Sequence, residues 1–126
     1  MFKAVFPIAL SLCTIASAAD WSQWRGPNRD GKSEETGLLA QWPAGGPRLV
    51  WKVQGLGEGY SSFSVVGNRL YTQGQKGDEE FVLALDIATG KPVWKTPTGR
   101  ALGNDRGNGP RGTPDHRRQT PLRLGR

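Results

Sequence analysis

Apolar and polar positions alternate only in the middle of the chain, with the period of two that a half-buried strand requires. Residues 62–66 (SFSVV) alternate, Gly67 and Asn68 follow as a two-residue turn, and 69–73 (RLYTQ) resume the pattern, which predicts a hairpin. A polar connection is expected over 74–79 and a third strand over 80–86 (EFVLALD). A turn over 88–91 then leads to a short fourth strand, 92–95, carrying Trp94. Upstream, 49–53 (LVWKV) is a further β-prone run, set off from the hairpin by the turn cluster 55–59 (GLGEG). Four antiparallel strands within so few residues predict a mainly β chain and a single four-stranded sheet.

Composition agrees with that reading. Of 126 residues, 18 are Gly and 9 are Pro, a proportion that favours tight turns over long helices. The net charge of +6 suggests an anionic partner until its position is noted. Between Asp20 and Pro114 there are 12 Lys and Arg against 10 Asp and Glu, so most of the excess sits at the two ends. A nucleic-acid-binding surface is therefore not expected.

The first 19 residues have the organisation of an export leader: Lys3, an apolar run over 4–16, and Ala16-Ser17-Ala18 as a small-residue cleavage site. The leader is expected as a signal-peptide helix over 1–19, with the mature chain starting at Ala19 or Asp20. The run is shorter than the roughly 20 residues that span a bilayer core, which argues against an integral membrane segment. Leu12 in front of Cys13 argues against lipid attachment there. Cleavage would remove Cys13, the only cysteine, so no disulfide is expected in the exported chain.

Residues 84–94 read ALDIATGKPVW. Asp86 can bond turn amides through its side chain, Gly90 can adopt a positive φ, and Trp94 offers a broad face for packing. This segment resembles, at every fixed position, the A-x-D-x-x-T-G-K-x-x-W repeat of PQQ-like (pyrroloquinoline quinone repeat) β-propellers. The positions that carry the resemblance are Ala84, Asp86, Thr89, Gly90, Lys91 and Trp94. Residues 21–31 (WSQWRGPNRDG) are similar to the W-x-Q-W-R-G-P-x-R-x-G opening of exported members. Residues 49–52, 57–62 and 109–114 share their style, so the resemblance covers 20–114.

The resemblance implies an antiparallel four-stranded propeller blade within an incomplete PQQ-like propeller. On that basis 1–19 is the leader and 20–48 an irregular N-terminal strap. Residues 49–100 form the blade, with 49–52 closing the ring, and 101–114 lead into a second blade. Residues 115–126 lose both alternation and aromatic content. They are read as a basic tail shifted out of frame, since the same codons read one nucleotide later can encode a blade opening. The rival reading is a true basic tail for phosphate or anionic lipid.

Three sharper motifs lack their context. Residues 26–33 (GPNRDGKS) satisfy the P-loop spacing, but no apolar strand leads in, and Gly37 and Pro43 interrupt any helix beyond. The cluster GLGEG is followed by strand-like residues, not by the helix of a dinucleotide fold. Residues 103–109 (GNDRGNG) lack calcium-loop spacing and are expected as a solvated loop. His116, the only histidine, has no second metal ligand or triad partner nearby.

Two roles remain open by resemblance. One is a non-catalytic interaction scaffold like the outer-membrane assembly propeller lipoprotein, with other blades and envelope proteins as partners. The other is the N-terminal piece of a quinone-dependent alcohol dehydrogenase of the polyvinyl-alcohol type. In that role pyrroloquinoline quinone and calcium would sit on the axis of the full-length ring. No catalytic, cofactor or metal residue is assigned within 1–126, and an exported, periplasmic or secreted location is expected.

Overall fold

A computed structural model describes residues 19–101, 103 and 105–116. Their four strands are β1 (Ser64–Val66), β2 (Arg69–Lys76), β3 (Glu79–Asp86) and β4 (Pro92–Arg100). They form one antiparallel sheet in the order β1-β2-β3-β4, an open meander consistent with an incomplete propeller blade. There is no helix among the described residues; residues 1–18 of the leader expected over 1–19, and residues 117–126 of the tail expected over 115–126, lie outside them.

The sheet departs from the sequence reading in three places. The polar connection expected over 74–79 is strand almost throughout: β2 runs to Lys76, β3 starts at Glu79, and Gly77 and Asp78 alone make the turn. The reason lies in the cover above it. A Cβ on Gly74 would collide with the Leu56 carbonyl oxygen, so a glycine there lets 55–59 pass directly over the strand. Glu58 and Gln75 then exchange backbone hydrogen bonds at 2.9 and 2.8 Å. Strand β4 continues to Arg100, paired with β3 through two register shifts.

The third departure is 49–53, which contains no strand. Its alternation still sorts the side chains, with Trp51 and Val53 half-buried and Val50 and Lys52 exposed. The segment crosses the face of the sheet, where it finds apolar side chains to cover but no backbone ladder to join.

Register separates the two faces. Leu70 opposes Leu85, Thr72 opposes Leu83 and Gly74 opposes Phe81, which puts the apolar side chains on one face. Phe81, Leu83 and Leu85 form the core cluster, with Leu70, Val53 and Leu56 packed against it. Burying each of the three contributes about 1.5–3 kcal/mol, so this layer is the main stabilising element of the sheet. The Lys95 ammonium lies 3.5 Å from the centroid of the Phe81 ring and caps the cluster at the β4 end.

The opposite face carries Tyr71, Gln73 and Gln75 on β2 and Val82 and Ala84 on β3. Among the described residues of 103–109, Gly103, Asp105, Arg106 and Asn108 are exposed, in keeping with the solvated loop expected there, and the chain from Gly109 to His116 then packs along this face. Gly109, Pro110 and Pro114 are buried. Two side chains receive the segment: Gln73 Nε2 donates to the Gly112 carbonyl at 3.1 Å, and the Tyr71 ring stacks on His116 at 5.4 Å.

Candidate functional site

Of the repeat residues singled out by sequence, Asp86, Thr89, Gly90 and Lys91 meet at the β3–β4 turn. Asp86 Oδ1 accepts from the Thr89 amide at 3.1 Å and from the Thr89 hydroxyl at 2.9 Å, and Asp86 Oδ2 lies 3.2 Å from Arg69. The Gly90 amide donates to the Asp86 carbonyl at 2.8 Å, and the Asp86 amide donates to the Lys91 carbonyl at 2.9 Å. These bonds hold the Asp86 carboxyl below its ordinary range, with the Thr89 hydroxyl the largest cause and the Arg69 charge a smaller one. All of this is local turn chemistry.

Gly90 has φ 69°, and a Cβ on it would stand 2.6 Å from the Trp51 ring. Trp51 closes the turn from outside, its Nε1 donating to the Ile87 carbonyl at 2.8 Å. Ala84 and Trp94 are separate from this turn. They are register partners on the opposite face, where Ala84 is fully buried and the Trp94 ring lies 6.0 Å from Tyr71. Trp94 keeps 38% of its surface exposed beside exposed Val93.

The strap is a second small assembly. Trp21 exchanges two 2.8 Å backbone hydrogen bonds with Val65, adding one residue pair at the outer edge of β1. Gln23 organises the turns after it, donating to the Pro27 carbonyl and accepting from Arg29 Nε, both at 2.8 Å. Residues 26–33 are turns and bends, and Lys32 donates its amide to Asp30 Oδ1. That segment has neither the strand nor the helix a phosphate loop needs. The strap is also tied to the far end of the described chain: the His116 amide donates to the Ser22 carbonyl at 2.9 Å, and Arg29 pairs with Asp115 at 3.8 Å.

Several large apolar side chains face outward. Trp24 is 58% and Phe63 51% exposed, and with Trp21, Arg25, Gly31 and Ser62 they line an open cleft of about 570 Å³. Arg25 lies over the Trp24 ring at 5.3 Å. Among the described residues no group of three or more His, Cys, Asp or Glu side chains is placed to hold a metal ion. Likewise no described helix is long and apolar enough to cross a membrane. The features that stand out are apolar contact surface and sheet edge.

One comparison with known proteins finds a similarity. Over 58 residues the chain is 41% identical to the outer membrane protein assembly factor BamB of Aliivibrio fischeri. The match covers 46% of this chain and 14% of that protein. No protein-family model and no solved structure matches the chain. The similarity to BamB is therefore local, on the scale of one repeat rather than of a whole protein.

Several residues that organise the site carried no sequence signal of their own. Trp51 stands in the apolar run 49–53, expected to close a ring, and it packs on Gly90. Gln73 and Gln75 are polar residues in a strand pattern, and both are buried. His116, read by elimination, stacks on Tyr71. The only available hint for the glutamines was a glycine between them, which marks a close backbone approach.

Proposed function

We propose that this chain is a PQQ-like repeat unit of an exported β-propeller protein, a non-catalytic interaction scaffold in the cell envelope. The similarity to BamB carries the reading. It falls on a chain whose polar constellation at Asp86, Thr89 and Gly90 is engaged in shaping a turn, while its aromatic side chains face outward. Other sheets of the same kind would pack beside Val93 and Trp94, and envelope proteins would use the apolar surface. The leader lies within residues 1–19, with the mature chain starting at Ala19 or Asp20; 20–48 act as the strap and 49–100 as the blade, with 101–114 leading toward a further blade.

In this proposal the chain holds neither quinone nor calcium by itself. Two measurements on the chain produced with its leader in a Gram-negative host test the reading. Fractionation should find it in the periplasm or outer membrane, and calorimetric titration with pyrroloquinoline quinone plus calcium should show no saturable heat. Cytoplasmic retention of the intact chain contradicts the export half. Saturable quinone binding, or quinone-dependent oxidation of an alcohol, contradicts the scaffold half and favours the dehydrogenase.

A further inference from the structure

The Ala19 nitrogen donates to Glu35 Oε1 at 2.6 Å, a contact that joins residues 16 positions apart. The acceptor is a carboxylate, so the bond is charge-assisted. Ala19 immediately follows Ala16-Ser17-Ala18, the small-residue cleavage pattern. The two residues after it are also fastened to the sheet: Asp20 Oδ1 accepts from the Gly67 amide at 2.8 Å, and Trp21 pairs with Val65. Glu35 is in turn shaped locally, since its amide donates to Ser33 Oγ at 3.2 Å.

We infer that the chain is cut between Ala18 and Ala19, and that Glu35 is the receptor for the new N-terminus. Hydrolysis breaks the Ala18–Ala19 C–N bond. Water supplies the hydroxyl oxygen to the Ala18 carbonyl, which leaves as a carboxylate, and the Ala19 nitrogen leaves as an amine that takes up the released protons. The leader peptidase of the export machinery is the hydrolase. What was a neutral amide donor at Ala19 becomes an α-ammonium facing a carboxylate, so an ion pair exists only in the processed chain. Asp20 beside the amine and Glu35 across from it are both acidic, and both favour the charged form. The pair closes the strap at residue 19 and marks processed chains off from unprocessed ones. This inference rests on the export reading, and its test separates the two.

The exported chain is purified, its start is found by intact mass, and the α-amine is tagged by reductive methylation with ¹³C-formaldehyde. Its titration is then followed by NMR in wild type, Glu35→Gln and Glu34→Gln. Glu35 is exposed, so its substitution leaves the sheet intact. The expected start is Ala19, with the wild-type amine titrating roughly 0.2–0.7 units above that of Glu35→Gln, a gap that narrows in 1 M salt. Glu34→Gln is expected to match wild type. An exported chain starting elsewhere, or equal titrations in wild type and Glu35→Gln, overturns the inference and leaves export standing. A chain exported nowhere and still carrying Met1 overturns both.

Discussion

Replacing Gly90 by Ala tests whether the turn after β3 is built around Trp51. Two costs combine at this position. At φ 69° an L-residue loses about 1–2 kcal/mol to left-handed backbone strain. The added Cβ also stands 2.6 Å from Trp51 Cε3, and forcing a methyl into a filled contact costs about 1–3 kcal/mol more. The expected loss is therefore about 2–5 kcal/mol. Gly77 is the internal control, because its φ is 59° but nothing lies within 4 Å of a Cβ there. Gly77→Ala should cost only the strain. Since one small sheet is stabilised by only about 3–5 kcal/mol, Gly90→Ala should lose most of its sheet signal without denaturant, while Gly77→Ala should keep a larger folded fraction, as far-UV circular dichroism would show. Trp51→Ala in the same background should bring the Gly90→Ala cost down to the Gly77→Ala value. Equal losses for the two glycines, or no relief from Trp51→Ala, would refute the packing argument.

Thr89→Val removes the largest cause of the lowered Asp86 pKa, so the carboxyl should titrate closer to its ordinary value, as ¹³C-carboxyl NMR would show. The sign for stability follows from the same shift. A carboxyl lowered in the folded state adds stability above its unfolded pKa and loses it as pH falls through the folded value, so Thr89→Val should flatten the acid limb of a pH–stability curve. Trp94→Ala should change the melting temperature of the isolated chain only slightly, because the ring is 38% exposed; a loss approaching the roughly 3–5 kcal/mol of a fully buried Trp would mean that its far face is covered. Thermal unfolding of the isolated chain should be broad, since one small sheet without disulfide or metal contributes only about 3–5 kcal/mol. A sharp two-state transition by calorimetry would contradict that.

What could be read from the sequence was local. Asp86, Thr89 and Gly90 lie within one turn, and the hydrogen bonds joining them are those their spacing suggested. Strands β1, β2 and β3 followed from alternation because each pairs with a neighbour in sequence. What could not be read was the cover. Trp51 bonds Ile87 across 36 positions, and Gln73 reaches Gly112 across 39. Neither contact leaves a periodic trace. Gly74 misled for a related reason: a glycine among polar residues resembles a turn, and only the Leu56 carbonyl above it shows why a strand needs it. Residues 49–53 show the converse, since their alternation is that of a strand while their backbone joins no ladder.

The proposal that matters most is that envelope proteins use the apolar surface around Trp24 and Phe63. The direct measurement is site-specific photo-crosslinking in living Gram-negative cells, with a benzophenone amino acid at position 63, beside the cleft that Trp24 lines. The account predicts a discrete adduct with another envelope protein, one that is weakened by Trp24→Ala and absent when the probe replaces exposed Leu38 in the strap. No adduct from position 63 in correctly exported chain, or equal yields from positions 63 and 38, would contradict it.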